Sequence, residues 1–499
     1  MSETGRPRPA GSRADAVSAT SAVLGRGSVY TLATAAPALA TLAVIPVVTR
    51  LLGRDEYDLV AVASVVVQVG YILMALGLGA AITRQYILAA AGPAGARGLV
   101  LQGAGLSLGL AVVVTGTSRW WVPAVLGRVV SVEIVLALIA CLGGAWMVLA
   151  QAHLRGADRA LSFVVLSATA SLVGPAGGLL AVTIGERTAA VYLSGLAAGF
   201  LAAGVLGLLL VVGSGQVAGR GAELRAALRI GLPTVPHQVS LYLALAGMVV
   251  VADRVLGDGG RANVALTIGA GATVVTAGLN NAWAPVVYRT APNERGRVLD
   301  ETTRAVARVT MVVAGTIALL APWLLQVAAP DSFEPVGLVP AVAVASAAAV
   351  PSVVYLACGH LIFASGNTGW LALTTPLAVV GGLVWAALLA QAWGMVAVAS
   401  GYLVAYLLLT TATTAVQRRV SPQPWWPPLM PGVAIAWAGT TVLGALLPTS
   451  GPGAVVRLVA VGVLVIGLGS TRVVRRRQAA MGDRRSGWGP ARVRRVGSG

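Results

Sequence analysis

Fourteen apolar runs of about twenty residues follow one another along this chain, at 28–49, 59–82, 98–118, 130–150, 161–184, 188–212, 230–252, 263–287, 305–328, 337–363, 370–391, 394–416, 429–448 and 454–471. A helix of about twenty residues spans the hydrocarbon core of a bilayer. Inside that core every backbone N–H and C=O must find its partner within the protein, and a helix meets the demand within its own segment. The expected fold is therefore all-α: a polytopic membrane protein with about 14 transmembrane helices. Composition agrees. Of the 499 residues, 57% are hydrophobic and 10% charged, against roughly 25% charged in an ordinary soluble domain. The 62 glycines suit close helix packing in lipid, where small residues let backbones approach.

The least marked boundary lies between the eleventh and twelfth runs, where only Ala392-Trp393-Gly394 intervenes. Prolines interrupt several others: Pro37 and Pro46 in the first, Pro175 in the fifth, Pro233 and Pro236 in the seventh, Pro285 in the eighth, Pro340 and Pro351 in the tenth. Broken helices survive in lipid only where the freed backbone groups face protein or a wet cavity. Runs 1, 7 and 8 are therefore candidates to line one, and run 10 is expected to kink.

Charge sets the expected orientation. All 35 basic residues are arginine and the net charge is +18. With the N-terminus inside, the six inner loops carry fourteen arginines, the seven outer loops eight and the two tails thirteen. The positive-inside rule then puts both termini in the cytoplasm and Arg50 at the outer end of the first span. The tail 472–499, with nine arginines and one acid, reads as a flexible segment drawn to anionic membrane lipids. Nucleic acid is not the expected partner, because no aromatic-basic module accompanies the charge. Cys141 and Cys358 lie far apart in apolar runs and suggest neither a disulfide framework nor a metal site. Ala38-Leu39-Ala40 imitates a signal-peptidase site, but the apolar run continues past it, so the first span is expected to remain.

An internal repeat gives the chain further order. Shifted by 204 residues, IPVVTRLLGRDEYDLVA (Ile45–Ala61) falls on VVVADRVLGDGGRANVA (Val249–Ala265). Arg50 meets Arg254, Leu52 meets Leu256, Gly53 meets Gly257 and Thr49 meets Asp253. With one residue of slip, Arg84 after run 2 meets Arg289 after run 8. The expected organisation is a tail (1–27), a first lobe of six helices (28–213), a cytoplasmic linker (214–229), a second lobe of six (230–416), two extra helices (417–471) and an arginine-rich tail (472–499). Six is even, so the lobes share one orientation. Such parallel repeats place a site between the lobes and suit rocking, alternating access.

The stretch P-x-x-T-R-x-L-G-x-x-x-Y at Pro46–Tyr57 resembles the start of the bacterial polysaccharide (lipid-linked oligosaccharide) flippases of the multidrug/oligosaccharidyl-lipid/polysaccharide exporter superfamily. Gly231-Leu232-Pro233, Asp253-Arg254 and Trp283-Ala284-Pro285 resemble the same family, and so does the fourteen-span count. Asp58 departs from the pattern, which often has glycine after that tyrosine. The resemblance covers the spans and not the tails. It implies a protein of the bacterial plasma membrane that passes polyprenyl-diphosphate-linked glycan from the cytoplasmic to the outer leaflet. It also implies a V-shaped pair of lobes, no cofactor, and polymerase or glycosyltransferase machinery as partners.

Within that expectation, Arg50 and Arg254 are candidates to pair with the diphosphate, since the planar guanidinium fork suits phosphate oxygens. Each also sits where a helix-end arginine would simply snorkel to the interface. Arg84 and Arg289, with Arg26, could meet the diphosphate at an inner entrance or serve as positive-inside anchors. His237, Gln238, Ser240 and Tyr242 in run 7, and Asn280, Asn281 and Trp283 in run 8, are candidates to line a sugar-binding cavity or to hydrogen-bond between helices. Asp253 is placed to pair with a neighbouring span. The acids of Arg54-Asp55-Glu56-Tyr57-Asp58 read as an ordinary short outer turn.

No catalytic signature stands out: there is no G-x-x-x-x-G-K-[ST], H-E-x-x-H or C-x-x-C. Two rivals remain. A membrane polymerase or glycosyltransferase would need a substantial external loop, and every loop here is about twenty residues or shorter. A multidrug/cation antiporter of the same superfamily would need carboxylates within its spans, where this chain has almost none.

Overall fold

A computed structural model describes residues 13–88, 91–218, 221–422 and 424–467; the side chains of 13–41 and of Leu88, Ala160, Ala170, Ala222, Asn281, Ala282 and Pro285 lie outside that description. The helices are α1 (Arg13–Met74), α2 (Leu78–Leu88), α3 (Gly92–Gly116), α4 (Ser118–Leu126), α5 (Val132–Gly156), α6 (Ala160–Ala168), α7 (Gly174–Ile184), α8 (Ala189–Val212), α9 (Gly221–Gly231), α10 (Val235–Leu256), α11 (Gly259–Arg289), α12 (Arg295–Ala328), α13 (Val339–Ala347), α14 (Ala349–Ser365), α15 (Leu371–Val420), α16 (Pro431–Leu446) and α17 (Gly451–Gly467).

Among the described residues, ten continuous helical runs are long and apolar enough to cross a membrane, and α16 and α17 are shorter apolar helices. Two of the ten each hold two crossings. Gly53 (φ 77°) divides α1, and Gly394 (φ 56°) divides α15. At both, one residue in a backbone conformation that only glycine adopts cheaply reverses the path without a loop. Fourteen segments result, in the expected order. One expectation needs correction here. Residues 54–58 are not a turn: helix resumes directly after Gly53, so these charges stand on the first turns of the second crossing.

Proline breaks the helices where its missing N–H predicts. A π-helical turn, Thr169–Val173, precedes Pro175 between α6 and α7. The tenth crossing bends at Ala348 ahead of Pro351, and a 3-10 turn, Leu232–Thr234, carries Pro233 between α9 and α10. Leu76 and Gly77 (φ 54° and 65°) break the second crossing between α1 and α2.

The helices α2, α3 and α5–α8 pack chiefly on one another, and so do α10–α15, with α16 and α17 leaning on the second group. We refer to residues 42–212 as the first half and 221–467 as the second. Within each half, glycines bring backbones into contact. A Cβ on Gly195 would stand 2.4 Å from backbone of Gly177, and one on Gly382 would stand 2.5 Å from the Gly401 carbonyl. Large side chains such as Val112, Leu161, Ile184, Leu388 and Ile466 point outward, as lipid requires. The halves meet where α1 lies against α10, α11 and α12.

Candidate functional site

The charged stretch after Gly53 lies in the seam between the halves, at the end of the bundle where α1 bends and α10 stops. Arg54 donates to Asp258 at 2.5 Å. Arg261 donates to the same carboxylate at 3.1 Å and reaches Glu334 at 3.2 Å. Arg128, in the connection after α4, bonds both Asp58 of its own half and Asp253 of the other. Asp58 also accepts the backbone N–H of Gly260 at 2.6 Å, in the first turn of α11, where helix donors have no partner of their own. Tyr57 donates to Asn263 at 2.9 Å and sets its ring edge-on to Phe333, with centroids 5.7 Å apart. This set of bonds forms a clasp across the seam.

Burial makes the clasp more than surface decoration. The side chain of Asp253 is 5% exposed and that of Asp58 16%. Two carboxylates so placed repel each other unless a cation sits between them. Arg128 does so. Its hydrogen bond to Asp253 is the largest influence raising its pKa, and it outweighs the desolvation that opposes charge.

The helix ends beside the clasp are tied in the same reciprocal way. Thr49 donates to the Ala328 carbonyl at 2.9 Å, and Arg50 donates to those of Val327 (2.8 Å) and Gln326 (3.1 Å). Together they take the last three carbonyls of α12, which have no acceptor role within the helix. Arg254 does the same in the opposite direction, donating to Ala124 (2.8 Å) and Val125 (3.1 Å) near the end of α4. Gly127 leaves room for it, because a Cβ there would stand 3.2 Å from the Arg254 Nε. Gly53 and Gly257, matched by the 204-residue shift, both have positive φ (77° and 68°). Arg54 and Asp258, also matched by that shift, bond to each other. A contact between equivalent positions, flanked by contacts exchanged in both directions, is the geometry of an isologous interface, here within one chain.

The other end of the seam is built differently. Arg54 and Gly77 are ~35 Å apart along their crossing. There a Cβ on Gly77 would stand 2.3 Å from the Gly231 carbonyl oxygen, so the α1–α2 break rests directly on the α9–α10 break. Just above it, Tyr71 meets Tyr242 edge-on at 6.2 Å. The linker before α9 is fastened to the first half: Arg97 bonds Ser214 and the Gln216 carbonyl at 2.8 Å each.

The residues singled out from sequence fall in several places. Arg50 and Arg254 are exposed and engaged by carbonyls at the clasp end. Arg84 and Arg289 are exposed at the ends of α2 and α11, toward the other face, and among the described residues no bond joins them. Tyr242 stands in the seam. His237 bonds Thr375 at 2.7 Å within the second half, and Gln238 bonds Thr234 at 3.0 Å. The Ser240 hydroxyl donates to its own helix at Pro236. The Asn280 carbonyl oxygen is buried and has no partner among the described residues. Trp283 bonds between helices, the second of the two roles open to it. It is fully buried, its indole N–H is on Thr302 at 2.8 Å and its ring lies edge-on to His360, so it offers no face to a sugar in this state. The side chains of Arg26 and Asn281 and the tail 472–499 lie outside the described residues.

Sequence reading missed Arg128, Asp58, Asn263, Arg261 and Glu334. One signal was present: Asp58 departs from the glycine common in the resembled motif, and it is the residue that joins Arg128 and α11.

No protein-family model and no curated protein matches the chain. Solved structures do. A lipid II flippase, MurJ, in an inward closed conformation aligns with a TM-score of 0.67 at 9% identity, covering 89% of this chain and 98% of the other. An inward-facing multidrug resistance transporter of the MATE family aligns at 0.60 with 18% identity, covering 77% and 94%. A MOP-superfamily transporter from Pyrococcus furiosus aligns at 0.55 with 15% identity, covering 85% and 96%. At these identities the likeness is one of fold. The chain has the polytopic helical fold of the MOP-superfamily transporters, as its motifs implied.

Proposed function

We propose that this chain, built on the MOP-transporter fold, is a flippase that carries polyprenyl-diphosphate-linked oligosaccharide across the bacterial plasma membrane by alternating access, for cell-surface polysaccharide. The observation that carries this reading is the two-sided clasp. Charged, reciprocal bonds across a seam are what a gate between two moving lobes requires, since they form and break as a set. The lobes are residues 28–213 and 230–416, with 417–471 as accessory helices. The arginine distribution sets the clasp end outside and both termini in the cytoplasm.

Arginine chemistry supports a diphosphate cargo. Arg84 and Arg289, with Arg26, stand at the inner entrance. Arg50 and Arg254 hold carbonyls while the outer gate is shut. When the lobes part, both guanidiniums lose those acceptors and turn to the diphosphate, which accepts bidentate bonds. Tyr242, His237, Gln238, Asn280 and Asn281 supply hydroxyl, imidazole and amide groups for sugar, and the polymerase or glycosyltransferase machinery takes the product. No bond-making step belongs to the protein.

The rival is a multidrug/cation antiporter. Against it, every carboxylate of residues 42–467 lies within about two turns of a helix end or in a connection, away from the middle of a span. The two readings part in proteoliposomes loaded with a fluorescent short-chain polyprenyl-diphosphate oligosaccharide, whose exposure on each leaflet a lectin reports. The flippase moves this lipid. Arg50→Ala and Arg254→Ala each slow it about tenfold or more while membrane abundance stays normal, a tenfold loss corresponding to one charged contact of about 1.4 kcal/mol. Ethidium efflux without movement of the lipid would overturn the proposal, and wild-type transport by both variants would remove the arginines from it.

A further inference from the structure

We propose that His153 and His360, buried one in each half at the same end of the bundle, are twin proton receptors, and that proton uptake there frees that end of the seam to open. The two occupy matching places. His153 lies on α5, the fourth crossing, and His360 on α14, the tenth, six crossings apart like the halves of the internal repeat. Both crossings are even-numbered, so both histidines stand near ends on the side opposite the clasp. Each ring is enclosed, at 1% and 4% exposure. Each meets a tyrosine edge-on: Tyr86 at the end of α2 lies 5.2 Å from His153 between centroids, and Tyr288 at the end of α11 lies 5.7 Å from His360. Those tyrosines close the second and eighth crossings, again six apart. Among the described residues, one nitrogen of each ring is buried without a partner, Nδ1 of His153 and Nε2 of His360.

An enclosed nitrogen without a bond destabilises the fold, and a phenylalanine of similar shape would carry no such penalty. Accident explains one such nitrogen poorly and two at matching places worse. Imidazole ordinarily changes charge between about pH 5 and 8. Its charged form has two N–H donors, and neither pocket offers a carboxylate to receive them. Around His153, α2 carries Arg84 and Tyr86, α3 carries Arg97, and the end of α5 and the residues after it carry Arg155, Asp158 and Arg159. Arg97 and Arg159 act on the ring by charge, and both are cations. Asp158 is exposed and bonds neither ring nitrogen; among the described residues, α1, α6 and α8 add no charge at this end. Around His360, α11 carries Arg289 and Tyr288, whose hydroxyl lies 3.5 Å from Nδ1. The first three turns of α12 carry Arg295, Arg297, Asp300, Glu301 and Arg304. The long α15 carries Tyr402 and Tyr406 deeper and Arg418 and Arg419 in its last turn. Among the described residues none of these but Tyr288 bonds the ring; Asp300 accepts the Trp425 indole N–H at 2.7 Å, and Cys358, on α14 itself, is on Thr414 at 3.4 Å. A protonated ring therefore leaves for water, and the tyrosine resting on it loses its support. That tyrosine belongs to a helix of the seam in each half. The short α2 rests on α5 on one side and on α9 on the other, held by Tyr86 and by the Thr83 hydroxyl on the Ala152 carbonyl at 2.9 Å. In the second half, α11 lies along α1. The opened end holds more protons than the closed one, so acid favours it, by up to about tenfold per pH unit for each histidine.

The inference rests on the reading that the seam opens at this end, and its readout needs no cargo. Full-length protein with Cys141 and Cys358 replaced by alanine carries spin labels at Ile87→Cys on α2 and Leu373→Cys on α15, exposed positions at this end of opposite halves. The distance between the labels is measured in lipid nanodiscs from about pH 8 down to about pH 5. With both histidines present, a longer distance grows in as the pH falls and disappears when it is restored. His153→Phe/His360→Phe keeps an aromatic edge for each tyrosine and removes both receptors. It holds the short distance throughout and melts no lower than its parent at the alkaline end of the range. His153→Gln and His360→Gln, one at a time, each reduce the steepness of the response by about half, one proton of the two being lost. No response with both histidines present would overturn the proposal. So would a double phenylalanine variant that is already open at the alkaline end, which would make the rings mere props. An acid response that survives in that variant would assign the protons to Asp58 and Asp253 of the clasp, and would overturn it as well. Failure to move the polyprenyl lipid with the acid response intact would strike the cargo alone.

Discussion

The two ends of the seam are closed by opposite means. At one, four carboxylates and three guanidiniums, several of them mostly buried, interlock across the halves with helix carbonyls capped in both directions. At the other, the closest approach is bare backbone, Gly77 on Gly231. The clasp is specific and stiff, because each buried charge depends on its partners and loses heavily without them. The glycine contact is tight but holds by fit alone, with weak dispersion forces per atom pair. A machine so built opens readily at the glycine end and must trade a whole set of bonds to open at the other.

Three perturbations test that contrast, from the largest expected effect. A covalent lock at the clasp should stop the cycle. The Cβ position at Gly260 lies 3.2 Å from the Asp58 Cα, so the two Cα atoms are no more than ~4.7 Å apart, at the short end of disulfide geometry. Asp58→Cys/Gly260→Cys, with Cys141 and Cys358 replaced by alanine, should lose transport when oxidised and regain it on reduction. Transport by the oxidised protein would show that the clasp does not gate.

Arg128→Ala comes next. It leaves Asp58 and Asp253 facing each other without their cation, a change that costs up to about 3–5 kcal/mol for a buried pair and less here, where Arg128 is 29% exposed. The melting temperature should fall, and a cysteine placed at Asn263 should react faster with an impermeant thiol reagent. Asp55→Asn, which alters the exposed acid of the same stretch, should do neither. Equal behaviour of the two variants would reduce the clasp to surface charge.

Gly77→Ala has the smallest expected effect on the clasp. Its cost combines a left-handed backbone of about 1–2 kcal/mol for a residue with a Cβ and a methyl group directed at the Gly231 carbonyl. The glycine end should be pushed apart, making Tyr242→Cys more accessible from that side while the clasp stays shut. Unchanged accessibility would mean that the backbone contact does not seal.

Sequence made the spans legible, because length, apolarity and proline position are local properties. Pro175, Pro233 and Pro351 each stand at a break in their crossing. The turn at Gly53 was misread because three acids in four residues look like a loop, and only the folded chain supplies the partners of two of them: Ala189 N–H for Glu56 and Gly260 N–H for Asp58. The repeat was visible as matching residues, yet its most telling position was a mismatch. Arg54 falls on Asp258, and residues that meet their own counterparts on a two-fold axis cannot share a charge. Identity there would have been repulsion. Which of its two roles Trp283 takes was not legible, because a polar run on a helix does not say which neighbour the helix turns toward, and here α12 covers it.

Another concession to lipid lies away from the seam. Pro322 within α12 has no N–H to give the Ala318 carbonyl one turn before it. Arg457 of α17, fully buried, supplies the missing donor from outside the helix, at 3.5 Å to Ala318 and 3.2 Å to Leu319, and it also bonds the Gly444 and Leu447 carbonyls at the end of α16. One side chain thus splices three helices at the level of their backbones. For that reason α17 is a structural prosthesis for α12. A chain ending before Gly451 would leave both a bent helix and a helix terminus with bare oxygens in oil.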